Sequence, residues 1–536
     1  MSLNLKLPFI ALISLVFLSK SFSQVSFTSS NLPIVLINTN EQTINDDPKI
    51  FATMGIIWNG SNTRNTIKDP INSYNGNIGI EIRGSSSQQF PKKSYGFETK
   101  SNDLVDVDVS LLGLPKENDW ILYALYTDKT MIRDVMTYTL DASLKHYAPR
   151  CRYVELILNN QYQGVYVLME KIKRNKNRVN ISKLQTTDNS GDNLTGGYII
   201  KIDKTTGGDT EGWLSNYSNY FGNTMYLYDY PKQEDITTAQ KTYIQSYVRK
   251  MENAIYQGKY SGEGSYHEFL NDTSCIDFMI INELSKNIDG YRLSSYLYKG
   301  RNDVLHCGPI WDFNLGYGNA NYYNGWKPGG FQYQAYLETD SWQIPFWWNK
   351  LMQDQSYVEK LKKRWSLLRK KELSDQRIKF VTDSLTSLLA EAQVRNFQKW
   401  PILGQYVWPN YYIGTSYESE IKWMKDWITQ RLAFLDQQWK YDLNGLSDLT
   451  SNSGSIYPCP FTDHLNIKLQ PKLSCEGYIE LFNTAGSLVR KINVVFQDGQ
   501  SELRFSGNNI LLPGVYVLRI TSNNRIIYTN KVVRKA

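Results

Sequence analysis

Asn287-Ile288-Asp289-Gly290-Tyr291-Arg292-Leu293-Ser294-Ser295-Tyr296-Leu297-Tyr298 is followed, nine residues on, by Gly308-Pro309-Ile310-Trp311-Asp312-Phe313-Asn314-Leu315-Gly316-Tyr317-Gly318. The first stretch leaves an apolar helical run (Ile276–Leu284) through a polar patch and enters a strand-like run. In extended backbone, residues i and i+2 point to the same side. That would set Asp312 and Asn314 on one Mg²⁺, which takes hard oxygen ligands. Asp289, 23 residues upstream, is left to act as a base or a second ligand. One carboxylate that holds a metal against phosphates and a separate one that takes a hydroxyl proton is the layout phosphoryl transfer requires. By spacing alone, a buried structural Asp beside Trp311 is the commoner outcome.

Working outward, two styles of chain flank this region. Up to about residue 230 there are short apolar or alternating runs bounded by Gly, Asn and Pro: Ile34–Asn38, Gly79–Arg83, Tyr95–Thr99, Tyr153–Leu158, Gln163–Glu170 and Gly197–Ile202. From about 235 a helical period takes over. Ala239, Tyr243, Tyr247, Met251 and Ile255 fall four apart; Ile421, Met424, Ile428, Leu432 and Leu435 form a second apolar face, entered by a Thr415-x-x-Glu418 capping box; Ile378–Ala392 is a third helix candidate. The expected class is α+β, with a β-rich first lobe, a helical second lobe and a cleft between them as the default site.

Both ends differ from this body. Residues 1–23 read as a signal peptide: Lys6, an apolar run from Leu7 to Leu18, and small residues before Gln24. A polar linker spans 446–455. After it, His464–Leu469, Gly477–Phe482, Leu488–Phe496, Ser501–Phe505, Gly514–Thr521 and Arg525–Val533 alternate as six short strands, the pattern of a small antiparallel β-sandwich. The expected organisation is a leader at 1–23, one body at 24–445, the linker, and a β-module at 456–536.

Composition narrows the function. The net charge is +7, but 456–536 hold ten Lys/Arg against five Asp/Glu and the leader holds Lys6 and Lys20, which leaves 24–455 without net charge. A neutral body does not suit binding to nucleic-acid phosphates. The five cysteines form no CxxC pair and no metal-ligand spacing with the four histidines. A Cys459–Cys475 bridge and lone thiols both satisfy the odd count. Beyond the leader, no apolar run is long enough to span a bilayer.

The C-terminal stretch resembles the type A sorting domain of the type IX secretion system of Bacteroidetes. The resemblance rests on Tyr457-Pro458-x-Pro460-Phe461, Leu481-Phe482-Asn483-Thr484-Ala485-Gly486, Leu512-Pro513-Gly514-Val515-Tyr516-Val517-Leu518 and the basic end Lys531-Val532-Val533-Arg534-Lys535. Cys459 stands where that family usually has Asn. The resemblance implies export to the surface or beyond through the type IX machinery.

The body resembles the CotH kinase family, atypical protein kinases related to spore coat protein H. The match runs through Leu32-Pro33-Ile34-Val35, Gly79-Ile80-Glu81-Ile82-Arg83-Gly84-Ser85-Ser86-Ser87-x-x-Phe90-Pro91-Lys92-Lys93-Ser94-Tyr95 and Asn118-Asp119-Trp120-Ile121-Leu122. It continues through Asp128-Lys129-Thr130-x-x-Arg133-Asp134, Gly164-Val165-Tyr166-x-x-x-Glu170-Lys171-Ile172, Gly196-Gly197-Tyr198 and the two Asp clusters. It implies a two-lobed kinase-like fold, ATP, Mg²⁺ or Mn²⁺, Asp289 as catalytic base and Asp312 as metal ligand. Ser294 stands where the loop often has Asn, and Asn314 where the family has the second Asp of Trp-Asp-x-Asp. Each keeps an oxygen for the metal while weakening it as a ligand.

For the phosphates, the sequence offers Arg83 with the following Gly-Ser-Ser-Ser backbone, Lys93 as a strand lysine, and Glu170-Lys171 as an ion pair. The plain alternative pairs Arg83 with Glu81 or Glu98 and leaves Lys92 and Lys93 on a solvated edge. Trp342–Trp348 and Tyr322–Trp326 are expected as packing, with a stacking platform for adenine, sugar or peptide as their functional reading. His306 is a candidate to line the cleft. Against a surface kinase of unknown protein substrate stand two alternatives. One is a catalytically degenerate adhesin, favoured by Ser294 and Asn314. The other is a glycan-processing enzyme using Asp289 and Asp312 as a carboxylate pair.

Overall fold

The structure, a computed structural model, describes residues 25–205, 211–219, 222–440, 455–469, 475–484, 487–496, 501–506, 511–522 and 525–535. The expected leader and all but the last residue of the expected linker lie outside these residues.

Nine strands come first: β1 (Ser29–Ser30), β2 (Ile34–Asn38), β3 (Ile50–Ile57), β4 (Asn65–Thr66), β5 (Tyr74–Arg83), β6 (Ser94–Lys100), β7 (Asp119–Tyr123), β8 (Cys151–Leu158) and β9 (Gln161–Glu170). β1 and β4 pair with each other. The other seven close a barrel in the order β2-β3-β5-β6-β7-β9-β8. Its neighbours are antiparallel except β2 and β8, which run parallel and shut the ring. Alternation makes it possible: Ile78 and Ile80, Val154 and Leu156, and Trp120 and Leu122 turn one face of each strand into a common core.

A second sheet is built from β10 (Tyr198–Ile202), β11 (Gly212–Asn219), β12 (Gly222–Tyr230), β13 (Ser295–Lys299) and β14 (Leu305–Cys307). Its spatial order is β11-β12-β10-β13-β14, antiparallel throughout. This qualifies the division read from sequence. The strand-rich and helix-rich stretches are successive along the chain, but β13 and β14, from the helical part, complete a sheet begun before residue 230.

The helices are α1 (Arg133–Ser143), α2 (Gly191–Leu194), α3 (Thr238–Tyr256), α4 (Asp272–Ser285), α5 (Phe346–Leu351), α6 (Gln355–Arg369), α7 (Asp375–Leu389), α8 (Ala392–Lys399) and α9 (Tyr417–Gln438). α3 opens on a capping box in which Thr237 and Gln240 satisfy each other's backbone N–H groups. At α9 the expected Thr415/Glu418 box is displaced by one residue: Ser416 and Ser419 exchange side-chain-to-backbone bonds of 3.2 Å. The third expected helix, Ile378–Ala392, is α7, which starts and ends three residues earlier, and α8 follows it from Ala392. α4 is buried from Ser274 to Ser285, and its buried polar side chains are paired: Asp277 with His146, Asn282 with the Phe278 carbonyl and Glu283 with Arg431. Trp347 and Trp348 of α5 are core residues, each 1% exposed.

Two compact units result, one from the chain up to Asp354 plus Glu372–Phe434, the other from Gln355–Lys371 plus Leu435 onward. The first holds the barrel and the five-stranded sheet. The second holds two antiparallel sheets, β15-β16-β19 and β18-β17-β20-β21, where β15 is Ser455–Tyr457, β16 His464–Leu469, β17 Cys475–Phe482, β18 Leu488–Phe496, β19 Ser501–Ser506, β20 Gly514–Ser522 and β21 Arg525–Arg534. Leu465, Ile467 and Phe505 of one sheet meet Ile479, Leu481, Leu518 and Ile520 of the other in a shared core. Six of these strands match the sequence expectation to within two residues; β15 was not expected. Cys151, Cys275, Cys307 and Cys459 carry free thiols.

Candidate active site

Strand pairing gathers the site. Ile202, the last residue of β10, pairs with Ser295, the first of β13, and Leu297 of β13 pairs with Cys307, the last of β14. Asp203, the 286–294 loop and the 308–314 segment therefore emerge at one end of the sheet. Arg83, the last residue of β5, reaches the same place from the barrel. Its guanidinium lies 5.7 Å over the Trp311 ring.

The loop carrying Asp289 is tightly wound. Lys286, Tyr291 and Ser294 have positive φ. Gly290 is required by close approach, since a Cβ there would lie 2.3 Å from Asn282 Oδ1. Arg292 Nη2 donates to Asp289 Oδ1 at 2.6 Å, while its Nη1 donates to Asp340 Oδ2 at 2.8 Å and to the Trp342 carbonyl at 3.1 Å. The same guanidinium sits 4.7 Å over Tyr323. Arg292, buried between two carboxylates and a ring, thus fixes Asp289 from one side.

Asp312 also adopts a left-handed backbone, φ 61°. The extended geometry expected to align Asp312 with Asn314 is therefore not present. The Asp312 N–H donates to Tyr138 Oη at 3.1 Å, and its carbonyl accepts from Asn287 Nδ2 at 3.0 Å, which joins the two Asp loops directly. Behind it, Asp134 Oδ1 accepts from the Phe313 N–H at 2.7 Å. Asp134 Oδ2 is buried with no hydrogen-bond partner among the described residues.

Negative charge is in surplus here. Burial, reinforced by Asp289 and Asp203, pushes Asp312 up to about 7, with Arg83 and Lys204 pulling the other way. Burial and then the charge of Asp312 push Asp134 well above the ordinary carboxyl range. Asp203 is raised by burial against the pull of Lys201 and of the Lys204 and Ser294 backbone N–H groups.

Of the residues singled out from sequence, the structure brings together Arg83, Asp289, Asp312, Asn314 and Ser294, though the last two engage differently from expectation. Asn314 Nδ2 donates to Thr127 Oγ1 at 3.0 Å. Ser294 contributes its backbone N–H to Asp203. Lys93 precedes β6 rather than lying in it, and its Nζ donates to the Gln88 carbonyl at 2.5 Å. Glu170 and Lys171 are not a pair: Glu170 is bound by Arg150 at 2.8 Å, and Lys171 lies 3.4 Å from Asp119. Glu81 and Glu98 are taken by Lys49, not by Arg83. His306 stacks on Tyr298 and pairs with Asp303. A cavity of about 450 Å³ lies beside Tyr417 and Ile421, and one of about 200 Å³, beside Asp141 and His146, is lined in part by Gly308, Pro309 and Ile310, the start of the segment that carries Asp312.

Sequence reasoning missed Asp203, Lys204, Asp134 and Arg292. The Lys201-Ile202-Asp203-Lys204 run, charges ending an apolar strand, was the available signal for the first two. Among the described residues, no three His, Cys, Asp or Glu lie close enough to hold a metal ion by themselves. Mg²⁺ commonly takes only one or two carboxylates and completes its shell with water and phosphate oxygens. The charge surplus at Asp312 and Asp203 fits such an ion.

A family model described as CotH kinase protein matches residues 80–435, and one described as secretion system C-terminal sorting domain matches 455–535. No curated protein matches the chain. Among solved structures, dimeric latent PorU from Porphyromonas gingivalis is 17% identical over 16% of this chain and 9% of its own, with a TM-score of 0.14. The Pseudomonas fluorescens alkylpurine DNA glycosylase AlkC, bound to DNA with an abasic-site analog, is 11% identical over 36% of this chain and 56% of its own, with a TM-score of 0.13. The chain spans less than a tenth of the first and just over half of the second. At these scores neither likeness bears on fold or function.

Proposed function

From its place in the CotH kinase protein family, to which the chain belongs, we propose that it is an exported phosphotransferase moving the γ-phosphate of ATP to a hydroxyl, on a protein Ser or Thr in the first instance. The carrying observation is the junction of the two Asp loops at one sheet end, with Asp289 fixed by Arg292 and Arg83 lying over the ring of Trp311, the neighbour of Asp312.

Asp289 accepts the proton of the acceptor hydroxyl as the new bond forms. Arg292 keeps its carboxylate aimed by holding one oxygen. Arg83 and Lys204 offer positive charge to the phosphates. Asp312, with Asp203 beside it and Asn314 and Ser294 nearby, would hold a divalent cation. Bound there, Mg²⁺ or Mn²⁺ supplies charge neutralisation on the transferring phosphoryl group. Asp134 and Tyr138 anchor the backbone at Asp312 and Phe313. Residues 455–535, the type IX sorting domain, engage the secretion machinery.

The test is incubation of the purified chain with γ-labelled ATP and Mg²⁺ or Mn²⁺, beside Asp289→Ala and Asp312→Ala. Label incorporated by the wild type and lost in both variants is expected. Absence of label, with no shift in melting temperature on adding ATP, would overturn the proposal. It would favour a second reading, a surface-binding module on a retired kinase fold. Asn314, whose amide is engaged by Thr127, is the observation on that side.

A further inference from the structure

Two uncharged stretches meet beside the Asp loops. Residues 400–417 contain no Asp, Glu, Lys or Arg over eighteen positions, and 313–326 none over fourteen. They are laced together: Tyr411 N–H donates to the Asn319 carbonyl at 2.7 Å and Asn321 N–H to the Pro409 carbonyl at 2.9 Å. Asn410 Nδ2 and Asn319 Nδ2 both donate to the Thr127 carbonyl, at 2.8 and 3.0 Å, and Asn319 Nδ2 also reaches the Asn314 carbonyl at 2.7 Å. The strip is therefore keyed to the segment that carries Asp312.

Its outer face is aromatic and open. Tyr406, Trp408 and Tyr411 are 54%, 45% and 44% exposed. Trp408 stacks on Tyr322 at 6.2 Å and 11°, and Tyr411 on Trp326 at 4.9 Å and 7°. Asn321 Nδ2 donates to Tyr406 Oη at 3.0 Å. Rings held flat by a rigid second layer yet left in water do not serve the core; an exposed patch of this kind marks a binding surface. Tyr322 ties it to the candidate active site: its ring meets that of Tyr323 at 5.7 Å, and over Tyr323 sits the Arg292 guanidinium that holds Asp289.

We propose that this strip binds a neutral glycan and presents it to Asp289. No charged residue falls within the strip, and Lys327, 5.6 Å over the Trp326 ring at its edge, is little for an acidic partner to hold. Flat rings offer faces to the C–H side of a pyranose, and the Asn and Tyr groups between them offer donors and acceptors to its hydroxyls. Resting on the phosphotransferase reading, the acceptor is then a sugar hydroxyl. Its oxygen forms the new bond to the γ-phosphorus, the bond from that phosphorus to the bridging oxygen breaks, ADP leaves with the electron pair, and the hydroxyl proton passes to Asp289.

The test is affinity electrophoresis of the full chain, without nucleotide, through gels containing hydroxyethyl cellulose, mixed-linkage β-glucan, galactomannan or glycogen. Trp408→Ala, Tyr411→Ala and Phe380→Ala, the last an exposed ring on α7, run alongside. At least one polysaccharide is expected to retard wild type and Phe380→Ala, with retention weakened about three- to tenfold in each strip variant. Trp408→Phe, which keeps a ring, is expected to restore it. No retardation by any polysaccharide, or equal retardation of folded strip variants, overturns the proposal. So does binding confined to a neutral Ser/Thr-rich peptide. Because the readout needs no ATP, its failure leaves the phosphotransferase reading standing, and failure of phosphate transfer leaves glycan binding standing.

Discussion

Asp289 and Asp312 occupy opposite electrostatic surroundings. Asp289 is ion-paired with Arg292, whereas Asp312 is held near 7 by burial and by its fellow carboxylates. An unfolded Asp releases its proton near 4. Between those two values the unfolded chain binds fewer protons than the folded one, so this group weakens the native state as pH rises. Metal-free Asp312→Asn is therefore expected to melt above wild type by about 2–4 °C at pH 8 and to match it at pH 4. Added Mg²⁺ should raise the wild type and leave the variant unmoved. Thermal melts at the two pH values check both statements. Arg292→Met is expected to lower kcat by roughly tenfold to a hundredfold, with KM for ATP nearly unchanged and partial rescue by Arg292→Lys. An equal loss in both parameters would place Arg292 in nucleotide binding instead. That the Asp289 and Asp312 loops would lie together was anticipated from the order of the two clusters and from the family resemblance. Asp203 was not, because only the β10–β13 pairing brings it beside a loop more than eighty residues away in the chain. The i, i+2 alignment expected of Asp312 and Asn314 is absent for a local reason: residue 312 is left-handed.

At the scale of elements, α4 carries the Asp289 loop at its C-terminal end and is locked there. Glu283 and Arg431, both fully buried, pair at 2.8 Å. Glu283 also accepts from Gln332 N–H, Tyr333 N–H and Tyr291 Oη, while Arg431 donates to the carbonyls of Glu283, Pro328 and Gly330. Removing one partner leaves an uncompensated buried charge. Arg431→Met is expected to cost about 3–5 kcal/mol in urea unfolding, and a loss under 1 kcal/mol would show that the network reorganises around water. The Asp128–Asp134 motif has a comparable task. Arg133 binds Asp128 and donates to the Gly316 carbonyl at 3.1 Å, and Asp134 holds Phe313, so the motif braces the Asp312 loop from α1. Helical periods and strand alternation were readable because each is set by near neighbours. The brace was visible only as a resemblance, since its partners lie far along the chain.

At the scale of the molecule, two compact units carry two family signatures. Leu481, fully buried in the shared core of the second, is a suitable probe. Leu481→Ala is expected to destabilise that module by about 2–5 kcal/mol. It should reduce export measured by surface labelling, while phosphate transfer by purified protein stays at the wild-type level. Unchanged export would mean that the machinery reads the chain without its folded sandwich. The C-terminal strands were legible nearly to the residue because hairpin turns punctuate them. The closure of seven of the first nine strands into a ring was not, because it depends on one parallel contact, β2 on β8, between segments about 120 residues apart.

That single contact also bears on life outside the cell. A sheet closed on itself offers no unpaired backbone rim to another copy. Exported chains crowd on a surface with no ATP-driven chaperone to separate them, and joining β2 to β8 removes the route by which seven strands would otherwise polymerise.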